Sequence, residues 1–600
     1  MNPIVKLIAG ATGGLLLSLA AHANTDAQSE DAKAEALFET IFNEGVERSP
    51  IYQTYLGMKT NYDQWDDLSP EHEQEGYALA RDQLKRLRAL DKSKLSEDNA
   101  LSYRLMEDDL EQDLAFERWR LHNYPVNQMF GMHSMVPSFL INQHRVDSVS
   151  DAEAYIGRLN KLPKVMKQLI ANLDERAKAG IIAPKFVFPY VISDSENILK
   201  GAPFSKGEDS PLMADFRKKV NALDIDDAEK AKLIKRGEKA LKKGLKPAYT
   251  QLVAYLKKLE KKADTRDGAW KFPNGAEFYN AALKKTTTTD LTADEIHNIG
   301  LKEVARIHDE MRAIMKQVKF DGSLQEFFVF MRDDPQFYYP TTDEGKARYL
   351  KEATALIDNM KGRLDELFIT KPKADLVVKA VEPFREKSAG KAFYQRPAPN
   401  GSRPGMYYAN LYDMKAMPIY QMEALAYHEG VPGHHMQLAI SQELQGVPKF
   451  RKYGSYTAYT EGWGLYSELV PKEMGLYEDP YSDFGRLAME LWRACRLVVD
   501  TGIHAKKWTR EEAIDYLVTN TPNAKSDSVK AIERYIVMPS QATAYKIGMI
   551  KIVELREKAK RELGDKFDIR QYHDVVLTSG PVPLTVLEER VNAWIKRTKA

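Results

Sequence analysis

The chain has 600 residues, 43% of them hydrophobic and 29% charged, with Lys+Arg 87 against Asp+Glu 86. That length can bury a large core and predicts two or more subdomains, while a net charge of +1 gives no sign of a nucleic-acid or anionic-membrane partner, so neither is expected. The one cysteine, Cys495, excludes an internal disulfide and a thiolate metal cluster, so any metal must be held by histidine and carboxylate.

The N-terminus reads as a secretory signal. Lys6 precedes an apolar run from Leu7 to Ala21, and Ala21-His22-Ala23 places small residues where a signal peptidase reads. Residues 1–23 are therefore expected to be removed, leaving a periplasmic or secreted protein with no stable membrane anchor; an uncleaved anchor is the alternative. No cysteine follows the signal to take a lipid. Residues 24–34 are small, polar and charged, and read as a flexible mature N-terminus.

Helical patterns dominate the chain beyond residue 34. Ser69-Pro70-Glu71 has the form of an N-cap with Pro in the first turn. Ser150-x-x-Glu153, Thr292-x-x-Glu295 and Thr509-x-x-Glu512 have the capping-box form. Residues 228–263 alternate Lys/Glu clusters with apolar residues at helical spacing, as a solvated helix face does. Between about 115 and 145 the pattern loosens, and Gly131 and Pro137 suggest loop or cleft edge. Gly268, Pro273, Gly275 and the Thr run before Asp290 predict a boundary in 264–290. The division expected is an N-terminal helical subdomain, 35–275, and a catalytic C-terminal one, 276–600.

Three short segments depart from helix: Leu376 to Val381, Ala392 to Arg396 and Met406 to Tyr412, joined by Gly and Pro. They predict a small sheet of about three strands ahead of the next motif. Such a strand either holds an extended peptide by backbone hydrogen bonds or simply covers a helix.

That motif is Tyr427-His428-Glu429-Gly430-Val431-Pro432-Gly433-His434-His435, with three of the 12 histidines beside a Glu. His-Glu followed by His is how one helix offers two imidazoles to zinc and a carboxylate to its water. The histidines should be four apart; here His434 is six from His428 (434 − 428) and His435 seven (435 − 428). On a regular helix His434 would lie about 240° round from His428, and His435 about 10.5 Å along the axis, too far to share an ion. Gly430, Pro432 and Gly433 instead predict a bulge or short break that brings His434 into place. The alternative is a helix end, a new helix at His434, and histidines that serve only the core. Glu461, in the aromatic stretch Tyr459-Thr460-Glu461-Gly462-Trp463-Gly464, is the first choice for a third ligand, because an unpaired buried carboxylate is costly. Glu468, seven residues on, is the second.

With these residues in place a family resemblance emerges. Gly-Met-Tyr-Tyr-Ala-Asn at 405–410, the His-Glu-Gly-Val-Pro-Gly-His-His core, Thr-Glu-Gly-Trp-Gly-Leu-Tyr-Ser-Glu at 460–468, the 491–504 and 539–548 segments, and His573-Asp574 through Pro583-Leu584 resemble the bacterial domain-of-unknown-function family number 885. That family in turn resembles zincin metallopeptidases of the carboxypeptidase Taq, thimet oligopeptidase and angiotensin-converting enzyme type. The resemblance implies a mainly α cleft fold, with a small sheet beside the metal-binding helix. It also implies Zn2+ held by His428, His434 and Glu461, with Glu429 as general base on a peptide substrate. Val431 and Pro432 are two extra residues relative to that pattern, and dipeptidyl peptidase III-like enzymes tolerate one.

The related zincins stabilise the oxyanion with a downstream Tyr and His, which by order along the chain match Tyr545 and His573; Tyr535, Tyr407 and Tyr408 are rivals. Arg496, Asp500 and His504, four apart, form a polar stripe that either buttresses the metal helix or is a salt-bridge ladder. Arg534 or Lys546 would suit a substrate carboxylate. The function expected is an exported zinc metallopeptidase. A zinc amidase on a non-peptide or cell-wall amide, or a non-catalytic metal-binding helical protein, is the alternative.

Overall fold

The structure, a computed structural model, describes residues 29–381, 386, 389–398 and 403–600. The expected signal segment lies outside the described residues. The chain is mainly α, with one three-stranded sheet among the described residues.

Helix ends follow local chemistry. Ser69 caps Pro70–Arg88, accepting from the His72 amide. Thr292 and Thr509 close reciprocal capping boxes with Glu295 and Glu512, and Ser323 does so with Glu326. The third expected box forms elsewhere: Ser148 caps Val149–Lys178 and accepts from the Asp151 amide, so Ser150 is already inside the helix. Helix also starts earlier than expected at the N-terminus. Glu30–Glu47 is capped by Ser29 and buries Ala34 and Phe38, so residues 30–34 of the segment expected to be flexible are helical. Gly131 ends a loop, as predicted, but Met132–Asn142 is a helix despite Pro137. Proline leaves the carbonyl four residues back without its donor. Here that carbonyl belongs to His133, and the Tyr249 hydroxyl donates to it at 2.7 Å.

One apolar core runs from Trp65 to Ile595, across the boundary expected at 275. The boundary segment is itself fastened to the C-terminal part, where the Ala269 amide donates to Nδ1 of His504 at 2.9 Å. At the centre lies Pro480–His504, buried along most of its length and packed against Ala293–Gln317. A second close pair is Thr457–Glu473 against Ala544–Leu563. A Cβ on Gly548 would stand 1.9 Å from the Ala458 carbonyl oxygen, and one on Gly462 2.5 Å from Gly548, so only glycines let these backbones touch.

The predicted strands form β1 (Leu376–Ala380), β2 (Ala392–Gln395) and β3 (Gly405–Ala409). The order is β1-β3-β2, with β1 parallel and β2 antiparallel to the central β3. Tyr394 of β2 pairs with Tyr407 of β3, and Leu376 of β1 with Gly405. All five β3 residues are buried: Met406 and Tyr408 cluster with Val381 and Phe393, and the strand is central and lies against His434–Glu443. This contact places the sheet beside the His-Glu motif.

Candidate metal centre

The motif is built as a stop and a restart. Met422–Glu429 is one helix and His434–Glu443 the next. Between them the Gly430 amide still donates to the Ala426 carbonyl at 2.9 Å, and the His435 amide reaches back to the Gly430 carbonyl at 3.1 Å. The Val431–Pro432 peptide is cis. Trp463 holds the connection from outside, its indole N–H donating to the Pro432 carbonyl at 2.8 Å. Gly433 presses on the end of the first helix, where a Cβ would fall 2.0 Å from the His428 carbonyl oxygen. The break therefore folds the second helix back against the first. The sequence posed a break that assembles a site against a restart that only serves the core; the structure has the restart, and the histidines converge.

His428, His434 and Glu461 each point a ligand atom to one place, all within 4.8 Å of one another. Glu461 Oε2 lies 3.4 Å from Nε2 of His434 and 3.9 Å from Nε2 of His428. Ligand atoms on a tetrahedral zinc at 2.0–2.1 Å stand about 3.3 Å apart, so the set fits with little adjustment. Two nitrogens and one carboxylate oxygen are the donors of an open catalytic zinc site. Gly464 makes room for them: a Cβ there would lie 2.9 Å from Cε1 of His428 and 3.0 Å from Cε1 of His434. Glu468 stands behind, its Oε1 2.7 Å from Nδ1 of His428. A carboxylate accepting from Nδ1–H leaves Nε2 to bind. The residue ranked second as a ligand is thus the partner of a ligand. Nδ1 of His434 is buried without a protein partner among the described residues.

His435 turns the other way. Its Nδ1 accepts from the Tyr394 hydroxyl at 3.0 Å, and its Nε2 donates to the Ala374 carbonyl at 3.0 Å, tying the helix to β2 and the approach to β1. Of the two adjacent histidines, His434, the expected second ligand, is the one brought to His428 and Glu461.

Burial sets the electrostatics. It drives His428 well below the usual histidine range, helped by His434 and the nearby Arg493 and Arg496, so this imidazole is neutral. Burial also lowers His434, but its hydrogen bond and charge interaction with Glu461 outweigh this and leave it raised. Burial pushes Glu429 up to about 7 and Glu468 up to about 8. Glu461 is pulled below the usual range although burial opposes it, through its hydrogen bond to His434 and the arginines.

The site opens into a cavity of about 490 Å³ lined by Glu429, His434, Glu461, Tyr545, Arg493, Arg496 and Arg534, with Lys391 to Tyr394 leading into β2. Tyr545 is in this wall, its ring 4.4 Å from the Arg496 guanidinium. His573 is not, and the expectation for it is corrected. It is 0% exposed, its Nε2 accepts from Tyr466 at 2.8 Å, its Nδ1 donates to the Leu367 carbonyl at 2.9 Å, and Phe368 stacks on it. With both nitrogens engaged away from the cavity it is a core histidine. Tyr535, Tyr407 and Tyr408 do not line the cavity either. The Tyr535 hydroxyl instead accepts from Nε of Arg496 at 2.9 Å.

The Arg496–Asp500–His504 stripe is neither buttress nor ladder. Asp500 accepts from the Tyr279 hydroxyl at 2.6 Å and the Ser540 amide at 3.1 Å, and His504 donates to the Tyr535 carbonyl at 3.0 Å. Lys546 is held by Glu490 and Glu303, away from the cavity. Arg493 and Lys391 are charged cavity residues that sequence reasoning missed. The signal for Arg493 was a second cation three residues before Arg496 in the apolar-flanked stretch Leu491-Trp492-Arg493-Ala494-Cys495-Arg496-Leu497. Cys495 is buried, and burial pushes its thiol up, as befits a structural residue.

Residues 50–591 match the family described as "Bacterial protein of unknown function (DUF885)", and the chain belongs to that family. Two solved structures are similar over nearly all of it. "The putative lipoprotein from Colwellia psychrerythraea" has TM-score 0.89 and 32% identity, covering 95% of this chain and 100% of its own. "A putative lipoprotein of unknown function from Shewanella oneidensis" has TM-score 0.73 and 18% identity, covering 94% and 99%. A structure described as "a putative oligoendopeptidase F from Bacillus anthracis str. Ames" aligns at TM-score 0.30 and 13% identity over 88% and 94%, too weakly to bear on function. No curated protein matches the chain.

Proposed function

We propose that this protein is an exported zinc-dependent peptidase that hydrolyses amide bonds of short peptides in the cavity above His428, His434 and Glu461. The observation that supports this reading is the convergence of those three ligands, with Glu429, adjacent to a ligand in sequence, lining the same cavity. A cavity of about 490 Å³ suits a short peptide or small molecule rather than a folded chain. Export is supported by the signal-like N-terminus and by the description of two similar proteins as lipoproteins. Among the described residues no helix is long and apolar enough to cross a membrane.

Zinc bound to the three residues would polarise the substrate carbonyl and lower the pKa of a water. The chain supplies the rest. Glu429 takes a proton on its carboxylate from the attacking water and hands it to the leaving amine nitrogen. Burial, which raises this carboxyl, favours its holding the proton between the two transfers. The Tyr545 hydroxyl, on the same wall, donates to the oxyanion. Glu468 keeps His428 in the tautomer that presents Nε2. β2, at the sheet edge and in the cavity wall, lies where an extended substrate would pair with backbone.

The test is Glu429→Gln. The variant is expected to keep its metal and melting temperature and to lose at least about 100-fold in kcat/KM on a mixed peptide library. Unchanged cleavage removes Glu429 as base. A wild type that binds no zinc in metal analysis removes the whole reading.

A further inference from the structure

The cavity carries more positive charge than its own side chains balance. Arg493, Arg496, Arg534 and Lys391 face it, against Glu429 and Glu461. Arginine keeps its charge when buried, so a buried guanidinium must find partners. Arg496 is 8% exposed; its Nε donates to the Tyr535 hydroxyl, and its Nη1 is buried with no partner among the described residues. Arg493, one turn earlier, donates from Nη1 to the Met489 carbonyl at 3.1 Å, while its Nε is buried without a partner. Its nearest carboxylate is Glu468, 3.9 Å away. Arg534 donates to Gln541 at 2.7 Å, and Lys391 to Gln421. No described carboxylate forms an ion pair within 4.0 Å with Arg496 or Arg534.

Both charges on the central helix act on the metal-binding residues: Arg493 and Arg496 each help lower Glu461 and His428. Thus two guanidiniums with unused N–H groups stand beside the reacting position, on a rigid buried helix, in a cavity of short-peptide size. A planar fork of N–H donors matches a carboxylate and nothing apolar. We infer that Arg493 and Arg496 form a carboxylate-binding subsite next to the hydrolytic centre, and that the carboxylate is the free C-terminus of a short peptide. This inference deepens the peptidase reading and rests on it for the word peptide. The arginine pair itself is testable without turnover.

The probes are N-acetyl-Ala-Phe, its C-terminal amide, and N-acetyl-Glu-Phe amide, titrated calorimetrically into the full-length Glu429→Gln protein. The free acid is expected to bind at least about tenfold more tightly than its amide. Adding Arg493→Gln or Arg496→Gln is expected to abolish the difference, and Arg496→Lys to restore only part of it, because a point charge replaces the fork. Melting curves accompany each variant; Arg493, the less buried of the two, serves if Arg496→Gln does not fold. Equal affinity for acid and amide overturns the subsite. Equal preference for N-acetyl-Glu-Phe amide and the free acid overturns the C-terminal assignment and moves the carboxylate to a side chain. If wild-type protein cuts acid and amide alike, the inference fails and the peptidase reading stands. If nothing is cut yet the acid binds through the arginines, the reverse holds.

Discussion

At the scale of single residues, the centre depends on side chains that touch no substrate. Glu468 is one. Glu468→Gln keeps the shape but replaces a carboxyl that can ionise behind His428 Nδ1 with an amide that cannot, and removing such a partner costs about 10- to 100-fold in metal affinity. Competition with a chromophoric chelator measures it, and unchanged affinity would show that Glu468 serves only the fold. Asp500 serves the fold rather than the centre, buried at 0% with its value pushed up to about 7 by desolvation. The sign follows from linkage: unfolded, an Asp releases its proton near 3.9, so between there and about 7 only the folded state holds it. The wild type loses that contribution as pH rises toward 7. Asp500→Asn keeps an acceptor for Tyr279 and Ser540 and has no proton to release. Its melting temperature relative to wild type is expected to climb from pH 5 to pH 8; a flat difference refutes the buried-acid assignment. Asp500 was legible in the sequence as a polar group in an apolar helix. Its partners were not, since Tyr279 and Ser540 are remote in sequence.

At the scale of elements, two devices set the ligand geometry: the Gly430–Gly433 connection and the approach of Thr457–Glu473. The connection was legible, because Gly-Val-Pro-Gly cannot continue a helix. That such a break could return His434 to His428 was also legible; what holds the fold-back was not, because it depends on Trp463 and on the space that Gly433 leaves. Gly464 shows the second device. With Gly464→Ala, a methyl would enter at 2.9–3.0 Å from both imidazoles, closer than real contacts allow, so the rings must rotate out of register. The expected result is a folded protein with a helical circular-dichroism spectrum that has lost most of its metal. Full metal content in that variant would mean that the rings can shift without separating. His573 marks the opposite limit. Its place in the order of motifs pointed to catalysis, but a helix-borne histidine faces a cavity or a core according to packing, and Phe368 and Tyr466 hold it in the core.

At the scale of the whole molecule, the ligands come from three helices that touch the sheet, the central helix and the C-terminal helices, so metal and fold should be linked. An ion that binds only the folded state adds about 2.7 kcal/mol at a concentration 100 times its Kd. Chelation is therefore expected to lower the melting temperature, and added Zn2+ to raise it with increasing concentration; an unmoved transition by scanning calorimetry would show that the site is not occupied by zinc. By itself, the sequence determined what local chemistry decides. Helix caps, the three short strands, the break at Gly430–Gly433, and a donor set limited to histidine and carboxylate all follow from propensity, backbone geometry and composition. Tertiary structure alone decided which groups meet. It joined the two expected subdomains through one core, chose His434 over His435, placed Glu468 behind His428, sent His573 inward and turned Arg493 and Arg496 toward the cavity. The reason is physical: a side chain's direction is local, but its partner is supplied by whichever distant element packs against it, and no spacing along the chain records that.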